Sequence, residues 1–489
     1  MTNNQNNNLK KVINLLKIRN YEEAKPILLE LAKGPKVSKK IYYLLYEIFL
    51  KQNENQSAKK YLKKFLELDQ KNYIGLNNLA NLYLKEKKTD KAEKCYLRAI
   101  EFKSDYLIGI INLAVFYEGM GENKNAKKFY EKALKLSPQK LGIYYNLNKI
   151  DQNYIDEEKI KHISRILKKE KLDPFDMASG YFLLAENQKN KKNIIKEIEN
   201  LKIAHEYSFQ HKLNSNKQFL NYWMNIIPKK YDKFNFINEN EIRDELKDLE
   251  PIFIIGLPRS GSTIVETILS SGTEKVKALG ETNLVNWSII NSNKNILNDP
   301  KSLIIDIGEV SKRLLIALKN LDIINNKSKI FIDKSLENFF YIDIILKIFP
   351  KAKFINTFRN IEDNIHAIFK QFLSNISWVH SFEHILEYID NYLKVMNFHK
   401  KEKSNKIFLL DLQELTNNQE IISKKIYDFC NLEWNVKVLE FYNRKDLFSN
   451  TASNTQIRKN IKKYDSEKYK PYKEVLKKFS HKYSWLYKE

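Results

Sequence analysis

Residues 251–268 read PIFIIGLPRSGSTIVETI, and their pattern decides the fold of the second half of the chain. The apolar run at 252–255 predicts a buried strand, a glycine-containing turn follows it, and the apolar residues after the turn recur with helical spacing. The turn fits the phosphate-loop pattern G-x-x-x-x-G-K-[ST] at both glycines and at the final hydroxyl. Ser262, however, stands where that pattern has its lysine. The loop is therefore predicted to bind an anion without the lysine of nucleoside-triphosphate-hydrolysing proteins.

Short apolar runs alternate with helical periods through residues 251–460. The runs lie at 252–255, 330–332, 353–357 and 406–410, and predicted helices follow at about 262–271, 337–349, 361–373 and 419–430. This alternation predicts a parallel sheet covered on both faces. Ligands of such folds bind beyond the carboxyl ends of the strands. Arg259, Lys334 and Arg359 each follow a predicted strand, so we expect them to converge there on an anionic ligand.

The missing lysine narrows the kind of anion that the loop can bind. A phosphate-loop lysine reaches the β and γ phosphates, and the loop hydroxyl usually holds magnesium. Without that lysine, a kinase or ATPase is not expected. A nest of backbone N–H groups at a helix N-terminus remains, and such a nest suits one compact anion. Because Arg259 adds a charged, bidentate donor inside the turn, the residues predict a site for a 5′-phosphate.

The first half of the chain contains an internal repeat with an offset of 34 residues. Residues 77–100, NNLANLYLKEKKTDKAEKCYLRAI, align with residues 111–134, INLAVFYEGMGENKNAKKFYEKAL. Large apolar residues alternate with alanines on faces where two helices must pack closely. The pattern resembles tetratricopeptide repeats over about residues 8–138, with an adjoining unit near 141–155 and a weaker copy at 179–209. The array predicts either a groove for a peptide or partner protein, or a spacer or homodimer surface.

Length and composition suggest how these halves are organised. A chain of 489 residues is too long for one ordinary core. We therefore place a helical repeat array at 1–230, a connecting segment at 231–250 and an α/β domain at 251–489. No stretch approaches the roughly 20 apolar residues of a membrane span. The N-terminus lacks the apolar core of a secretory signal, so a soluble cytoplasmic protein is expected.

Net charge alone does not decide the class of function. The formal net charge of +24 suits a nucleic-acid, membrane-surface or acidic-ligand binder. Lysine is abundant throughout the chain, however, and no arginine-rich stripe or RNA-binding aromatic signature accompanies it. A nucleic-acid partner is therefore not expected. The two cysteines, Cys95 and Cys430, provide neither a disulfide framework nor a metal-ligand cluster.

Further motifs accompany the loop in a fixed order. They are GET at 280–282, FIDKSLENF at 331–339, FPKAKFINTFRN at 349–360, YDFCNLEWNVKVLEFYNRKD at 427–446 and TASNTQIRKNI at 451–461. Together with the loop and the repeats, they resemble the bacterial tetratricopeptide-repeat sulfotransferases, whose catalytic part is similar to tyrosylprotein sulfotransferase. The motifs cover about residues 251–480. The resemblance implies an α-solenoid followed by a P-loop-like sulfotransferase domain with a mainly parallel sheet.

The resemblance also implies a donor and the residues that bind it. The family donor is 3′-phosphoadenosine-5′-phosphosulfate, and the family chemistry moves its sulfuryl group to an acceptor hydroxyl by in-line transfer. Arg259 corresponds to the arginine on the 5′-phosphate, and Arg359 corresponds to the arginine on the 3′-phosphate. The remaining loop residues implied to bind the donor are Ser260, Gly261, Ser262 and Thr263. No metal is expected, because the sulfuryl group carries less charge than a terminal phosphate.

Three further residues correspond to the catalytic residues of the family. Glu281 corresponds to the general base, and it suits that role if burial raises its pKa above the reference of about 4.3. Lys334 corresponds to the lysine that stabilises charge in the transition state. Ser453 corresponds to the serine that assists at the transferring group. His366 is the other candidate base, but its predicted helical position favours a core role.

The sequence departs from the family pattern in ways that leave alternatives open. Ala367 replaces the serine that family members usually carry eight residues after the 3′-phosphate arginine. The usual Asp-Pro after that arginine reads Asn360-Ile361, and the usual aromatic-acidic pair after the later strand reads Leu412-Gln413. A non-catalytic repeat scaffold with a degenerate sulfotransferase-like domain is therefore the alternative function. The acceptor is also open between peptide tyrosine, carbohydrate, lipid and small phenol.

Overall fold

The computed structural model describes residues 3–34, 37–52, 54–169, 171–297, 304–324, 329–444, 447–449, 451, 453–465 and 467–486. The chain divides into two compact units, Met1–Pro138 and Gln139–Glu489. Within the described ranges, no helix is both long enough and apolar enough to cross a membrane. The domain boundary at 231–250 stays a prediction from the sequence, whereas the compact units divide about a hundred residues earlier.

The first unit is a series of helical hairpins. Its helices are α1 (Asn3–Lys17), α2 (Tyr21–Leu31), α3 (Lys39–Lys51), α4 (Asn55–Leu68), α5 (Tyr73–Lys85), α6 (Thr89–Phe102), α7 (Leu107–Met120) and α8 (Asn123–Leu136). Ala24, Ala58, Ala92 and Ala126 recur every 34 residues, and all four are fully buried. A small side chain at each of these positions lets the second helix of a hairpin approach its neighbours closely. The predicted repeat period and helical array are confirmed.

The second unit begins with further helices and then alternates strands with helices. Its helices are α9 (Leu141–Ile150), α10 (Glu157–Lys169), α11 (Pro174–Asn190), α12 (Ile194–His211), α13 (Leu213–Asn221), α14 (Asp244–Lys247), α15 (Ser262–Ser271), α16 (Leu284–Ser292), α17 (Ile307–Asn320), α18 (Ile342–Ile348), α19 (Ile361–Phe369), α20 (Phe382–Glu402), α21 (Leu412–Asn417), α22 (Gln419–Phe429) and α23 (Lys473–Lys477). A π-helical turn spans Tyr222–Ile226. Short 3₁₀ helices span Ile227–Lys229, Glu239–Glu241, Lys294–Leu297, Leu336–Tyr341, Ser404–Lys406, Val436–Asn443, Gln456–Arg458 and Lys470–Tyr472.

The strands of the second unit form a parallel sheet, as the sequence predicts. The strands are β1 (Asn235–Ile237), β2 (Ile252–Gly256), β3 (Val276–Ala278), β4 (Ile304–Asp306), β5 (Ile330–Asp333), β6 (Lys353–Phe358) and β7 (Ile407–Asp411). Among the described residues, five of them pair in the order β3-β5-β2-β6-β7, and β1 pairs with β4 separately. The predicted strands are confirmed within one residue at each end. The three-residue strands β1, β3 and β4 were not predicted, since none forms a long apolar run.

The central position of β2 explains why its sequence is apolar throughout. Every residue of β2 is buried. Phe253 and Ile255 contribute to a core that also contains residues of α20, whereas Ile252 and Ile254 face a second core formed with α15 and α22. A strand buried on both faces reads as a continuous hydrophobic run, not as an alternating one. The strand thereby carries the loop that follows it to the middle of one sheet edge.

The helices that precede the sheet share its larger core. Phe182 of α11 and Leu201 of α12 belong to the same cluster of buried residues as Phe253 of β2. The segment 231–250, which the sequence suggests as a connection, contributes the buried side chains of Leu246 and Leu249 to that cluster. This shared apolar surface is the physical reason why the helices after Gln139 form one compact unit with the sheet.

Candidate functional site

The loop between β2 and α15 has a backbone that only particular residues allow. Gly256 has φ +134, and an added Cβ would lie 2.4 Å from the carbonyl oxygen of Thr357 on β6. Arg259 has φ 68 and Gly261 has φ 93, so both lie in the left-handed region. Alternation of right- and left-handed residues turns successive backbone N–H groups toward one concavity. The loop therefore has the backbone geometry of a nest, the kind of turn that can bind anions, at the N-terminus of α15, where the first amides lack intrahelical acceptors.

Side chains from neighbouring strands and helices hold this loop in place. The hydroxyl of Ser260 donates to the Leu257 carbonyl at 2.7 Å and lies 2.7 Å from the hydroxyl of Thr357. The amide of Asn364 donates to the Pro258 carbonyl at 2.7 Å. Ser260 is buried and its hydroxyl is already bonded inside the loop. Its side chain is therefore a loop support, while its backbone N–H belongs to the nest.

Arg259, Arg359 and Ser453 come together at the mouth of the nest. Nη1 of Arg259 donates to the Ser453 hydroxyl at 2.8 Å, and Nη1 of Arg359 lies 3.4 Å from the Arg259 carbonyl oxygen. Burial lowers the pKa of Arg259, and the positive charge of Arg359 lowers it further. Two guanidinium groups so close together favour an anion between them. Of the three residues predicted to converge, Arg259 and Arg359 are in contact here, whereas Lys334 contacts a separate group of carboxylates.

The second arginine of this cluster is surrounded by residues from α19 and from the C-terminal segment. Nη2 of Arg359 donates to the hydroxyl of Tyr464 at 3.2 Å, and the same atom lies 3.7 Å from Oδ2 of Asp363. The rings of Tyr464 and Tyr469 lie with their centroids 4.9 and 5.5 Å from its guanidinium carbon. Arg359 thus lies near a carboxylate of the following helix, Asp363, and also contacts the Tyr464 hydroxyl.

A second cluster lies at the carboxyl end of β5, which neighbours β2 in the sheet. Nζ of Lys334 donates to Oε1 of Glu281 at 2.6 Å and lies 4.0 Å from Oε2 of Glu266 on α15. Lys334 is fully buried. Burial alone would lower its pKa, but the negative charges of Glu281 and Glu266 outweigh that effect and raise the pKa. Lys334 is therefore a cation at neutral pH.

The exposure of Glu281 differs from the expectation of a desolvated base. The Glu281 side chain is 52% exposed. The reason is its place in the chain, since it follows Gly280, whose φ is 77 and beside which an added Cβ would meet no atom within 4 Å. Two hydrogen bonds fix the backbone of Gly280. Its N–H donates to the Glu266 carboxylate at 2.8 Å, and its carbonyl accepts from the Lys334 N–H at 3.0 Å. Glu281 thus projects from a fixed backbone toward open space.

Buried polar groups connect the segment that carries Glu281 to the segment that carries Lys334. The carboxylate of Asp333 accepts from the Thr282 hydroxyl at 2.9 Å, from the Ser335 N–H at 2.8 Å and from the Asn338 amide at 3.2 Å. Burial raises the pKa of Asp333. Because Thr282 follows Glu281 and Asp333 precedes Lys334, this network fixes the separation of the base candidate from the lysine.

Glu337 adds a fourth carboxyl group near Lys334. It lies in the first turn of the 3₁₀ helix after Lys334, and it is the residue between 331 and 342 that keeps contact with solvent. Burial raises its pKa to about 7, and the negative charges of Glu281 and Asp333 contribute to the increase.

His366, the other candidate base, occupies the environment of a core residue. Its ring is stacked on Tyr469, with centroids 6.0 Å apart and an interplanar angle of 13°. Burial lowers its pKa to about 4, and the charge of Lys370 lowers it further. His366 is neutral at pH 7, and within the described residues neither ring nitrogen has a hydrogen-bond partner. The structure gives it aromatic contacts and no contact with the Lys334 cluster.

The departures from the family motif are accommodated locally. Asn360 caps α19, because its side chain accepts from the Asp363 N–H at 3.0 Å, as an aspartate would. Leu412 packs against Gly261, where an added Cβ would lie 2.5 Å from its Cδ1 atom. Ala367 is buried on α19. The first two departures therefore preserve the loop and the helix, whereas Ala367 removes a hydroxyl.

The chain is similar to known families in both of its parts. Residues 251–436 match the family model described as the sulfotransferase family. Residues 73–106 and 110–140 match models of the tetratricopeptide repeat. The chain therefore carries tetratricopeptide repeats and a sulfotransferase-family domain. The finer resemblance to tyrosylprotein sulfotransferase stays a prediction.

Individual relatives cover only part of the chain. An uncharacterized protein of Aquifex aeolicus (strain VF5) is 32% identical over 239 residues, which are 46% of this chain and 31% of that protein. This chain thus matches less than a third of the length of its relative. The solved sulfotransferase domain of the Synechococcus PCC 7002 olefin synthase is 16% identical, with a TM-score of 0.32, over 44% of this chain and 86% of that domain. A tetratricopeptide repeat protein of Parabacteroides merdae ATCC 43184 is 18% identical, with a TM-score of 0.34, over 44% of this chain and 88% of that protein.

Several residues of the site were not predicted from the sequence. They are Glu266, Asp333, Glu337 and Tyr464. A signal existed for two of them, because Asp333 and Glu337 are charged residues inside the otherwise apolar stretch around Lys334. No local signal marks Glu266, which has an ordinary helical position, or Tyr464, which lies in a lysine-rich segment and meets Arg359 across 105 residues.

Proposed function

We propose that the second unit is a sulfotransferase that moves a sulfuryl group from 3′-phosphoadenosine-5′-phosphosulfate to an acceptor hydroxyl. The observation that carries the proposal is the pairing of two clusters at the carboxyl ends of adjacent strands. One cluster, formed by Arg259, Arg359 and Ser453, suits anions, and the other, formed by Lys334 and Glu281, combines a cation with a base. The match of residues 251–436 to the sulfotransferase family supports the same reaction class.

The chemistry of the residues fits a donor that carries two separate phosphates. The amides of the loop and Arg259 would hold the 5′-phosphate, with Gly261, Ser262 and Thr263 supplying N–H groups at the start of α15. Arg359 would hold the 3′-phosphate. Its Nε is buried and has no hydrogen-bond partner among the described residues, which is the kind of unsatisfied donor that a ligand relieves.

The second cluster can supply a general base for the acceptor hydroxyl and a cation that stabilises negative charge during the transfer. When bound, the donor supplies a sulfuryl group that passes in line from its bridging phosphate oxygen to the acceptor oxygen. Glu281 takes the proton of the acceptor hydroxyl onto its carboxylate as the new bond forms. Lys334 and Ser453 donate hydrogen bonds toward the charge that develops around the transferring group. Because Lys334 would supply positive charge there, the proposal includes no metal.

The acceptor and the role of the repeats are further parts of this proposal. Peptide tyrosine is the acceptor class to test first, because the catalytic motifs resemble those of tyrosylprotein sulfotransferase and helical repeats commonly bind peptides. We place this reaction in the cytoplasm. The alternative, a repeat scaffold without turnover, is favoured by one observation, the loss of a hydroxyl at Ala367. Donor binding without turnover on any acceptor class would decide for the scaffold.

Replacement of Arg359 tests the donor assignment. We expect Arg359→Ala to weaken adenosine 3′,5′-bisphosphate by roughly 10²-fold, because a nearly buried charge pair loses one partner. Adenosine 5′-monophosphate, which lacks the 3′-phosphate, should bind the variant and the native protein alike. Isothermal titration calorimetry measures both constants. An equal loss for both nucleotides would show that Arg359 supports the fold of the site without contacting the 3′-phosphate.

Truncation tests the division of labour between the two units. Residues 139–489 should fold and keep the native affinity for adenosine 3′,5′-bisphosphate, because they contain the whole shared core. Residues 251–489 should fail to fold, since removal of α11 and α12 exposes Phe372 and Phe369, on which Phe182 and His205 stack. Circular dichroism and calorimetry distinguish the two chains. If the repeats select a protein acceptor, kcat/KM for that acceptor should fall in residues 139–489, whereas an unchanged value would identify the repeats as a spacer or an assembly surface.

A further inference from the structure

Arg359 has more hydrogen-bond capacity than its surroundings use. A guanidinium group offers five N–H donors in a planar fork. The Arg359 side chain is only 11% exposed, yet its Nη1 contact with the Arg259 carbonyl is long, at 3.4 Å, and its contact with Asp363 is 3.7 Å. Its buried Nε has no partner among the described residues. A buried cation with unsatisfied donors is expected to gain from an anionic ligand that supplies several acceptors.

Tyr464 provides a hydroxyl at the same position. Its ring lies against the Arg359 guanidinium, and its hydroxyl accepts from Nη2 at 3.2 Å while it donates to Oδ2 of Asp363. The Tyr464 N–H donates to the Thr416 hydroxyl at 3.1 Å, so the backbone of this residue is anchored as well. Burial, together with the hydrogen bond to Asp363, raises the pKa of Tyr464. The phenol therefore keeps its proton at neutral pH and remains a donor.

We propose that Tyr464 is a further ligand-binding residue, whose hydroxyl donates to the phosphate monoester that Arg359 holds. The proposal rests on the proposed function, which places a 3′-phosphate at Arg359. A phosphate monoester presents three oxygens and up to two negative charges, so it competes with the single carboxylate of Asp363 for the phenolic proton. Rotation of the O–H group about its bond to the ring redirects that proton without moving the ring. Arg359 and Tyr464 would then bind the same phosphate from adjacent positions.

Tyr469 offers a matched control for the hydroxyl of Tyr464. Its ring also lies near the guanidinium, with its centroid 5.5 Å from the guanidinium carbon, and it is buried. It contacts Arg359 through the ring face, whereas Tyr464 contacts it through both ring and hydroxyl. Replacement of either tyrosine by phenylalanine keeps the aromatic contact and removes one hydroxyl. Only the change at Tyr464 should therefore affect a phosphate on Arg359.

The experiment compares Tyr464→Phe and Tyr469→Phe with the native full-length chain by isothermal titration calorimetry. The probes are adenosine 3′,5′-bisphosphate and adenosine 5′-monophosphate. We expect Tyr464→Phe to weaken the bisphosphate by roughly tenfold, the loss typical of one hydrogen bond to a charged group, and to leave the monophosphate unchanged. Tyr469→Phe should leave both constants within about twofold. Thermal melting without ligand checks that each variant is folded.

The outcomes separate this inference from the function on which it rests. If the native chain prefers the bisphosphate and Tyr464→Phe shows the same preference, the Tyr464 proposal is wrong and the donor assignment survives. Tighter binding by Tyr464→Phe would also overturn the proposal, since the hydroxyl would then compete with the phosphate for Arg359. If the native chain has no preference for the bisphosphate, both the donor assignment and the Tyr464 proposal are wrong.

Discussion

Turnover of the Glu281→Gln variant is expected to fall by roughly 10²-fold or more, which is the usual contribution of a positioned general base. Glutamine keeps the shape of the side chain and can still accept from Lys334, but it cannot take the proton of the acceptor hydroxyl. The affinity for adenosine 3′,5′-bisphosphate should stay within about twofold, because Glu281 belongs to the cluster at β5 and not to the arginine cluster. Single-turnover kinetics on an active acceptor, with calorimetry of the nucleotide, measure the two effects.

Glu337 is the matched control for this prediction. Burial raises the pKa of Glu337 to about 7, and proton transfer is most efficient when the pKa of the base is near the working pH. Glu281, however, is the carboxylate that contacts Lys334 and projects toward solvent. We therefore expect Glu337→Gln to keep turnover within about threefold, and His366→Asn to behave like it. A large loss in Glu337→Gln with near-native turnover in Glu281→Gln would transfer the role of base to Glu337.

Lys334→Met should lower turnover by roughly 10²- to 10³-fold, the range observed when one donor that stabilises transition-state charge is removed. Methionine keeps a flexible apolar stem of similar length, so the core around it should remain packed. The variant loses the cation that the structure holds between Glu281 and Glu266. The same substitution should also destabilise the fold by about 3 kcal/mol, because it leaves carboxylates without their buried partner.

A double variant distinguishes the catalytic effect of Lys334 from the structural one. The side chain of Glu266 is 11% exposed, and Lys334 is the cation that pairs with it among the residues that the structure describes. Lys334→Met combined with Glu266→Gln removes the negative charge of Glu266. The double variant should therefore regain much of the free energy of unfolding that Lys334→Met alone loses, while its turnover stays low. Urea denaturation and steady-state kinetics report the two quantities. Recovery of turnover together with stability would show that Lys334 has a structural role only.

The parts of the molecule that could be predicted from the sequence are those encoded locally. A central strand of a parallel sheet is buried on both faces, so β2 must be apolar. Its loop must carry glycine where the next strand comes close, as the Thr357 carbonyl does beside Gly256. Because parallel strands end at one edge, the positions of Arg259, Lys334 and Arg359 after predicted strands were enough to expect them there. The 34-residue repeat could also be predicted from the sequence, because each alanine must fit the same close contact between two helices.

The parts that could not be predicted depend on contacts between distant segments. Glu266 meets Lys334 because α15 passes the end of β5, and nothing in the helix itself indicates that contact. Tyr464 meets Arg359 only after the C-terminal segment has returned to the sheet edge. The exposure of Glu281 depends on the path of the chain at Gly280. The boundary between the compact units lies at Pro138 because the apolar faces of α11 and α12 pack into the core of the sheet. From the repeat pattern alone, the same faces would be expected to pack against neighbouring helical hairpins.

The hydrogen bond between Arg259 and Ser453 spans 194 residues of sequence, and this separation matters while the chain is being synthesised. At about 5 to 20 residues per second, a ribosome needs roughly 10 to 40 seconds to proceed from the loop to the serine. During that interval β2, β5 and β6 can pair, but the arginine cluster has neither Ser453 nor Tyr464. The sheet of a nascent chain can thus form well before the proposed anion site is complete. The capacity to bind a nucleotide should therefore be among the last properties that the emerging protein acquires.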